Sequence, residues 1–340
     1  MKAAVYHRGT GLVVEDIPTP EPAPDQVLLK IANTGFCGSD HSLLETAGLP
    51  EGIILGHEVS GVVIKAGSQV NVVQEGAKVI VRPTFCGVCP GCRIGRTQLC
   101  SSNRRSIGIG DLPGGFAEYV LVYPGMLIPV PDNVDSKNAA LAEMCAVSLH
   151  GIDISGRRGG SVLVIGGGAI GLSMVKLLRL LGYEPIVVSE PVAEKRALAK
   201  EFGAEYTIDP ISENIQQRCF EINSGNGFDT IFECSGRPET LLSAMDMSAP
   251  GGMVCMISVV YRTIEINPAT MMFKEVQLTA SYGNTHAENA QCLRWMSEGK
   301  LDVRPLISDE ITLTQLPSVY RSRIHTGKAV KVMLEIGDPF

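Results

Sequence analysis

Residues 166–171 read Gly-Gly-Gly-Ala-Ile-Gly and come directly after the apolar run 162–165. The spacing is G-x-G-x-x-G, with Gly166, Gly168 and Gly171 at the glycine positions. In a strand–turn–helix unit these glycines allow a tight turn, close approach of a pyrophosphate, and close packing of helix on strand. The pattern therefore predicts a parallel sheet whose first turn binds the phosphates of a dinucleotide at a helix N-terminus.

The rest of the chain supports a division into two domains. Strand-like runs at 162–165, 186–188, 230–232 and 253–257 alternate with helix-like segments at 169–181, 192–202 and 238–247. This alternation is typical of βαβ units, so we expect a doubly wound, α/β Rossmann domain over residues 148–282.

The flanking regions have β character. Short β-branched runs at 27–31, 59–64 and 78–81 are separated by Pro- and Gly-rich segments. A helix-like segment at 287–298 precedes strand-like runs at 307–313 and 328–336. We expect this tail to return to the first part, giving a mainly β, discontinuous domain of residues 1–147 and 283–340.

An acidic residue stands where a dinucleotide site requires one. Glu190 ends the strand after the glycine turn, where it is expected to accept hydrogen bonds from the adenosine ribose. Repulsion of a 2′-phosphate favours NAD over NADP, although the nearby cations Lys195 and Arg196 would tolerate that phosphate. Ile170, in the first helical turn, is also expected at the cofactor.

Four cysteines fall at C-x2-C-x2-C-x7-C, namely Cys86, Cys89, Cys92 and Cys100. Four thiolates on a Gly/Pro-rich segment suit one tetrahedral Zn²⁺, and an all-sulfur shell leaves no position for substrate. The array predicts a structural zinc site. We expect the scattered Cys145, Cys219, Cys234, Cys255 and Cys292 to be core thiols.

A second metal site is indicated by Cys37, in a Gly-flanked turn, and by His57-Glu58, just before a strand. A catalytic zinc needs three protein ligands and one open position, which a thiolate, an imidazole and a carboxylate supply. Each residue alone is more typical of a core or surface group; the combination favours the metal.

These motifs occur in a familiar order. They are Gly35-x-Cys37-Gly38-Ser39-Asp40, Gly56-His57-Glu58, the cysteine array, Gly114-Gly115-Phe116-Ala117-Glu118-Tyr119 and the Gly166 turn. In this the chain resembles the zinc-containing medium-chain alcohol dehydrogenases, particularly the sorbitol/polyol and threonine dehydrogenase branch. The likeness covers essentially the whole chain.

The resemblance implies a GroES-like catalytic domain, a dimer or tetramer, and two zinc ions per chain. It also implies that Cys37, His57 and Glu143 bind the catalytic zinc, with Glu58 as an alternating or outer ligand. Asp40 would orient His57, and Ser39 would take the proton of the alcohol.

Two positions depart from the branch. Met144 replaces a proline after Glu143, and Ser42 stands where the branch has a proton-relay histidine, with His41 one residue early. The implied reaction is hydride transfer from a secondary alcohol to NAD⁺, with polyol, sugar acid, diol and hydroxy amino acid all open as substrates. His41, Glu45 and Thr46 fit a polar substrate or, equally, a solvated loop.

Composition excludes several alternatives. The net charge of -7 argues against nucleic-acid or anionic-membrane partners. The N-terminus lacks the apolar segment of a signal peptide, which favours a cytoplasmic protein. A metal-free quinone-reductase relative, a non-enzymatic zinc module and a cofactor sensor remain the rival interpretations; zinc content and activity distinguish them.

Overall fold

The computed structural model describes residues 1–45, 49–260 and 262–340. The chain divides into two compact units: unit 1 comprises Met1–Glu143 and Thr285–Phe340, and unit 2 comprises Met144–Asn284. The boundaries predicted from sequence, at 147/148 and 282/283, lie four and two residues from these.

Among its described residues, the first part of unit 1 contains seven strands and three α-helices. The strands are β1 (Lys2–His7), β2 (Gly11–Asp16), β3 (Val27–Phe36), β4 (Glu58–Ala66), β5 (Lys78–Val81), β6 (Tyr119–Val122) and β7 (Leu127–Pro129). The helices are α1 (Gly38–Glu45), α2 (Pro90–Arg93) and α3 (Ser136–Ala140). A fourth helix, α4 (Ala142–Ile154), carries the chain across the boundary.

Unit 2 alternates strand and helix. Its strands are β8 (Val162–Ile165), β9 (Ile186–Ser189), β10 (Tyr206–Ile208), β11 (Phe228–Glu233), β12 (Ser248–Met256) and β13 (Gln277–Ala280). Its helices are α5 (Ala169–Leu180), α6 (Ala193–Glu201), α7 (Ile215–Ile222), α8 (Pro238–Met247) and α9 (Pro268–Lys274).

The sheet of unit 2 is parallel throughout. The strand order is β10-β9-β8-β11-β12-β13, and each neighbouring pair has parallel register. Numbered within the unit, this is the 3-2-1-4-5-6 order of a doubly wound Rossmann sheet. Because helices cover parallel sheets on both faces, the central strands β8 and β9 are fully buried. The predicted α/β class and Rossmann sheet are confirmed.

The chain then returns to unit 1 with α10 (His286–Ser297), β14 (Ile307–Thr312), α11 (Leu316–Val319) and β15 (Lys331–Glu335). The main sheet has the order β14-β15-β3-β4-β5-β7, and β6 also pairs with β3. Strand β15 lies antiparallel to β3, with Val332 opposite Phe36. The last strand therefore completes a sheet begun near the N-terminus.

The core of unit 1 follows from β-branched residues on these strands. Val27, Leu29 and Ile31 alternate along β3 and pack with Val59, Val63, Val79 and Val81 of the neighbouring strands. This packing fixes the ends of β3 and β4, from which the candidate site is built. Within the described ranges, every helix is too short or too polar to cross a membrane.

Candidate active site and metal centres

Three candidate metal ligands meet where β3 ends and β4 begins. Cys37 follows β3, and Glu58 opens β4 immediately after His57. The strands are antiparallel, with Gly35 opposite Glu58. Sγ of Cys37, a ring nitrogen of His57 and a carboxylate oxygen of Glu58 lie within 4.8 Å of one another. Strand pairing thus brings together a thiol, an imidazole and a carboxylate.

Asp40, fully buried at the start of α1, connects the two chain segments. Its Oδ2 accepts the backbone N–H of Cys37 at 2.9 Å, and its Oδ1 accepts that of Gly56 at 3.2 Å. Oδ1 also lies 3.4 Å from Nδ1 of His57. One carboxylate therefore positions both the cysteine turn and the histidine, which is how a metal-bound imidazole is commonly oriented.

The electrostatic environment of His57 favours a cation. Burial opposes a charge on the ring, but the carboxylate of Asp40 and the thiol group of Cys37 outweigh that effect and raise the pKa of His57 well above its usual range. The same negative groups would stabilise a divalent cation between Cys37 and His57.

Glu58 forms a buried ion pair that sequence reasoning missed. Its carboxylate pairs with Nζ of Lys331, the first residue of β15, and both side chains are almost fully buried. Nζ of Lys331 also donates to the carbonyl of Phe36 at 3.1 Å. A Cβ on Gly35 would lie 2.0 Å from Oε2 of Glu58, so the pair requires glycine there.

The ammonium of Lys331 stays protonated inside the fold. Burial acts to lower its pKa, but the negative charge of Glu58, with a contribution from Cys37, more than compensates, and the pKa is raised. The signal in the sequence was a lysine beginning the otherwise apolar run Lys-Val-Met-Leu.

Glu143 lies in the first turn of α4 and is half-buried. At Arg82, whose pKa burial and Arg104 lower to about 10, the charge of Glu143 acts in the opposite direction, and it also contributes to the raised pKa of Lys331. Its carboxylate is not part of the group of three ligand atoms, from Cys37, His57 and Glu58, that lie within 4.8 Å of one another. Its assignment as a zinc ligand therefore stays a prediction.

The structure also defines the surroundings of Ser39, the predicted proton acceptor. Oγ of Ser39 lies 3.4 Å from Nε2 of His57. The hydroxyl of Ser42 donates to the carbonyl of Gly38 at 3.1 Å. Nδ1 of His41 lies 3.2 Å from the hydroxyl of Tyr320, which donates to Glu45 at 2.7 Å. Thr46 lies outside the described residues.

The donor set fits zinc. Sulfur, imidazole nitrogen and carboxylate oxygen are the three ligand types that Zn²⁺ takes in catalytic sites. Nδ1 of His57 is buried and has no hydrogen-bond partner within the described ranges, although Asp40 lies near. The group converges on one point, as a shared ion requires.

The four array cysteines converge in the same way. Their Sγ atoms lie within 4.8 Å of one another, with 3.9 Å between Cys86 and Cys92 and 3.5 Å between Cys89 and Cys92. Sulfurs on a tetrahedral zinc with bonds of 2.3 Å would be separated by about 3.8 Å. Backbone N–H groups of Cys86 and Cys89 point at cysteine sulfurs at 3.3 Å, which stabilises thiolates.

The thiols of the array differ in acidity. Backbone N–H groups of Cys92 and Ser101 lower the pKa of Cys89 to about 5. Burial, together with the adjacent Cys89, raises the pKa of Cys92 to about 12. Four thiolates would repel one another without a cation, so full ionisation of the array requires a bound metal.

The glycine turn joins β8 to α5. Gly166 has φ +102°, a conformation that favours glycine, and a Cβ on Gly171 would lie 1.9 Å from the Gly166 carbonyl oxygen. At Gly168, the N-cap of α5, an added Cβ would meet no described atom within 4 Å. The turn is therefore closed towards the sheet and open at the helix N-terminus, which is the geometry that accepts phosphate.

A cavity of about 480 Å³ adjoins this turn within unit 2. Its lining includes Gly166, Gly168, Glu190, Cys234, Ser235 and Arg237. Ser235 and Arg237 were not identified from sequence, because the loop after β11 carries no glycine pattern of its own. Cys234 was expected as a core thiol; it is only half-buried and lines the cavity.

Glu190 is buried at the end of β9 beside this turn. The neighbouring Arg196 donates to the backbone carbonyls of Glu190 and Pro191 and pairs with Asp209 at 3.2 Å. Its contacts fasten the loop between β9 and α6. Lys195 is half-buried on α6.

Comparison with known proteins agrees with this architecture. A family described as alcohol dehydrogenase GroES-like domain matches residues 23–132, and one described as zinc-binding dehydrogenase matches residues 169–298. Sorbitol dehydrogenase from Halalkalibacterium halodurans is 31% identical, over 98% of this chain and 99% of its own. (R,R)-butanediol dehydrogenase from Neisseria gonorrhoeae is 29% identical, over 98% and 99%.

A solved structure extends the likeness to three dimensions. A zinc-binding dehydrogenase from Sinorhizobium meliloti 1021, solved with NADP, is 34% identical with a TM-score of 0.90 and 98% coverage of each chain. The chain belongs to the zinc-containing medium-chain alcohol dehydrogenase family. It is a zinc-dependent oxidoreductase that uses a nicotinamide cofactor to oxidise a secondary alcohol to a ketone.

Proposed function

We propose that the protein oxidises a polar secondary alcohol, of the polyol, sugar-acid, diol or hydroxy-amino-acid type, with NAD⁺ as acceptor. The observation that carries this proposal is the convergence of Cys37, His57 and Glu58 beside the hydroxyl of Ser39. The sorbitol and butanediol dehydrogenases named above act on a polyol and a diol, which supports a substrate with more than one hydroxyl group.

Cys37, His57 and Glu143 would hold the catalytic zinc, with Glu58 as the outer carboxylate. When bound, zinc supplies a Lewis acid that lowers the pKa of the substrate hydroxyl, and the nicotinamide supplies the hydride acceptor. Oγ of Ser39 would accept the hydroxyl proton. Asp40 would keep the His57 ring oriented throughout, through its contacts with His57 and with the Cys37 backbone.

Lys331 would control the ligand role of Glu58. Its ammonium neutralises the carboxylate, so Glu58 adds little net negative charge at the metal while paired. A metal with one anionic ligand fewer is a stronger Lewis acid.

The array of Cys86, Cys89, Cys92 and Cys100 would hold a second, structural zinc, which gives two ions per chain.

The cofactor would bind at the glycine turn of unit 2, with its phosphates at Gly166–Gly171 and its adenosine in the 480 Å³ cavity. Glu190, Ile170 and Lys195 would line this site. The buried carboxylate of Glu190 favours the free ribose hydroxyls of NAD. The Sinorhizobium relative was solved with NADP, and Arg237 lines the same cavity, so both cofactors belong in the test.

The test is a panel of secondary alcohols, polyols and hydroxy acids with NAD⁺ and NADP⁺, in which absorbance of the reduced cofactor is followed. We expect activity with at least one polar secondary alcohol and preference for NAD⁺. Metal analysis should find two zinc ions per chain. A zinc-loaded protein that reduces no cofactor with any panel member would contradict the proposal.

The variants Cys37→Ala and His57→Ala distinguish an effect on catalysis from an effect on folding. Each variant should bind one zinc ion fewer, and its kcat should be lower by at least about 10³-fold, because the Lewis acid is removed. Circular dichroism should remain that of the parent. Full activity in either variant, shown to lack that zinc, would refute the mechanism. Light scattering would test the expected dimer or tetramer.

A further inference from the structure

We propose that Arg82, with Arg104 beside it, forms a binding subsite for an anionic group on the substrate, either a carboxylate or a phosphate monoester. The inference rests on the proposed function and narrows it. Among the open substrate classes, it selects alcohols that carry a negative charge away from the reacting hydroxyl.

Arg82 is held in a buried position. It directly follows β5, its backbone N–H donates to the carbonyl of Met126 at 2.9 Å, and the residue is 2% exposed. The ring of Phe85 lies 5.7 Å from its Cζ. The guanidinium group has few alternative positions in this packing. A hydrogen-bond acceptor for its free donors must therefore come to this buried position.

The guanidinium is not satisfied by the protein alone. Nε and Nη1 of Arg82 are buried and have no hydrogen-bond partner in the part of the chain that the structure describes. Leaving charged donors buried and unpaired is strongly unfavourable, so such groups commonly mark a place where a ligand completes the set. A guanidinium presents its N–H donors in a fixed plane, and such donors suit the oxygens of a carboxylate or phosphate.

A second cation lies next to Arg82. The Thr84 N–H donates to the Arg105 carbonyl at 3.0 Å, and the Arg105 N–H donates to Oγ1 of Thr84 at 3.0 Å. This pairing holds the segment carrying Arg104 against the one carrying Arg82. Burial, followed by the charge of Arg104, lowers the pKa of Arg82 to about 10. The Arg82 guanidinium group is therefore positive at neutral pH.

The acidic groups nearby have other partners. Oε2 of Glu288 accepts the Thr285 N–H at 2.6 Å as part of the capping box of α10. Glu143 is the proposed zinc ligand. His286 adds no negative charge, and burial together with Arg82 lowers its pKa to about 4, so it is neutral. An incoming anion would satisfy the open Nε and Nη1 donors of Arg82.

Glu143 connects this subsite to the reacting centre. Its carboxylate acts on Arg82 and also on Lys331, which pairs with Glu58 beside Cys37 and His57. Strand β5 pairs antiparallel with β4, with Ile80 opposite Ser60, so the same register continued by two residues brings Arg82 alongside Glu58. Arg82 therefore lies beside the metal cluster within unit 1, where it can hold one end of a substrate whose hydroxyl group reaches the metal.

The test compares three substrates that share one carbon skeleton: an aldonate, the corresponding alditol, and the alditol monophosphate. For the parent enzyme we expect kcat/KM for the aldonate or the phosphate to exceed that for the alditol by at least about tenfold. The favoured anion identifies which source of charge the subsite accepts. An alditol oxidised as well as both anions would overturn the subsite while leaving the proposed function intact.

The variant Arg82→Gln should lower kcat/KM for the favoured anion by about 10- to 100-fold, mainly through KM, so that anion-to-alditol selectivity approaches one. Equal losses with all three substrates would indicate a purely structural role and refute the subsite. Arg82→Lys keeps the charge without the paired donors; it should fold and lose about tenfold in selectivity. Unchanged selectivity in Arg82→Lys would also refute it.

Arg105→Gln is the matched control, because Arg105 lies one residue from Arg104 but is partly exposed and paired with Asp111. It should keep the parent selectivity. If no alcohol is oxidised, calorimetric titration with the aldonate and with inorganic phosphate tests anion binding at the subsite independently of activity. Binding that Arg82→Gln abolishes would support the subsite although the proposed function has failed; no binding to the parent would overturn both.

Discussion

The backbone N–H of Gly167 donates a 2.7 Å hydrogen bond to Oε2 of Glu190. This bond ties the turn after β8 to the end of β9, while Oε1 of Glu190 accepts the Val192 N–H at 2.9 Å. Each carboxylate oxygen keeps a lone pair for a further donor. Two backbone N–H groups therefore fix the Glu190 carboxylate at the place where the proposed function puts the adenosine ribose.

Replacing Glu190 by Ala should shift cofactor preference. The ribose hydroxyls lose an acceptor and a 2′-phosphate loses a repelling charge, so we expect kcat/KM for NAD⁺ to fall about tenfold relative to NADP⁺. Steady-state kinetics with both cofactors measures the ratio. Glu194→Ala, which removes an exposed carboxylate from α6, should leave it unchanged. An unaltered ratio in Glu190→Ala would contradict this role.

Replacing Cys92 by Ser should act on stability. The thiolate is one of four sulfurs that converge in the array, and structural zinc contributes folding free energy. We expect the loss of one zinc ion and a melting temperature lower by about 10 °C. Cys255→Ser, a buried single-atom change in unit 2, should keep both ions. Retention of two zinc ions in Cys92→Ser would argue against the array as a metal site.

The Lys331–Glu58 pair gives a double-mutant test. Lys331→Met leaves the Glu58 carboxylate buried and unpaired, which costs about 3–5 kcal/mol and should lower the melting temperature by about 10 °C. Adding Glu58→Gln removes the stranded charge, so the double variant should recover most of the loss. Thermal denaturation of the single and double variants measures the coupling. Additive losses would show that the two side chains do not act as a pair.

His286 should make stability depend on pH. Burial lowers its folded pKa to about 4, whereas an unfolded histidine titrates near pH 6.5. Between these values only the unfolded chain takes up a proton. His286 therefore costs no stability above pH 6.5. As the pH falls from 6.5 towards 4, protonation of the unfolded chain progressively lowers the free energy of unfolding.

The variant His286→Gln should flatten this decline, because the residue no longer titrates. Melting temperatures of parent and variant from pH 7.5 to 4.5 give the comparison. His7 provides a control of opposite sign, since its hydrogen bond with Glu51 raises its pKa; His7→Gln should not flatten the decline. Parallel curves for the parent and His286→Gln would contradict the assignment.

The features predicted from sequence are those encoded by short-range spacing. The strand 162–165 and the helix 238–247 were predicted with the bounds that the structure shows for β8 and α8. The glycine turn and the cysteine array were likewise recognisable because each lies within about fifteen residues. Local periodicity and turn chemistry determine such elements with little help from tertiary contacts.

What escaped prediction depends on distant parts of the chain. Lys331 reaches Glu58 across 273 residues, and no periodicity signals such a pairing. Arg82 follows the strand-like run 78–81 and was not singled out from sequence, yet packing makes it nearly inaccessible. The strand β10 and helices α7 and α9 were not identified because they are short and carry mixed polarity.

The late position of β15 has a consequence for biosynthesis. While the ribosome extends the chain, the Glu58 carboxylate is made long before the only cation that pairs with it in the described structure. Until β15 has been made, the nascent N-terminal segment therefore has an open sheet edge beside β3 and an unpaired Glu58 carboxylate. The candidate metal site therefore cannot be completed until β15 has been made, and a ribosome stalled before Lys331 would hold a chain unable to close it.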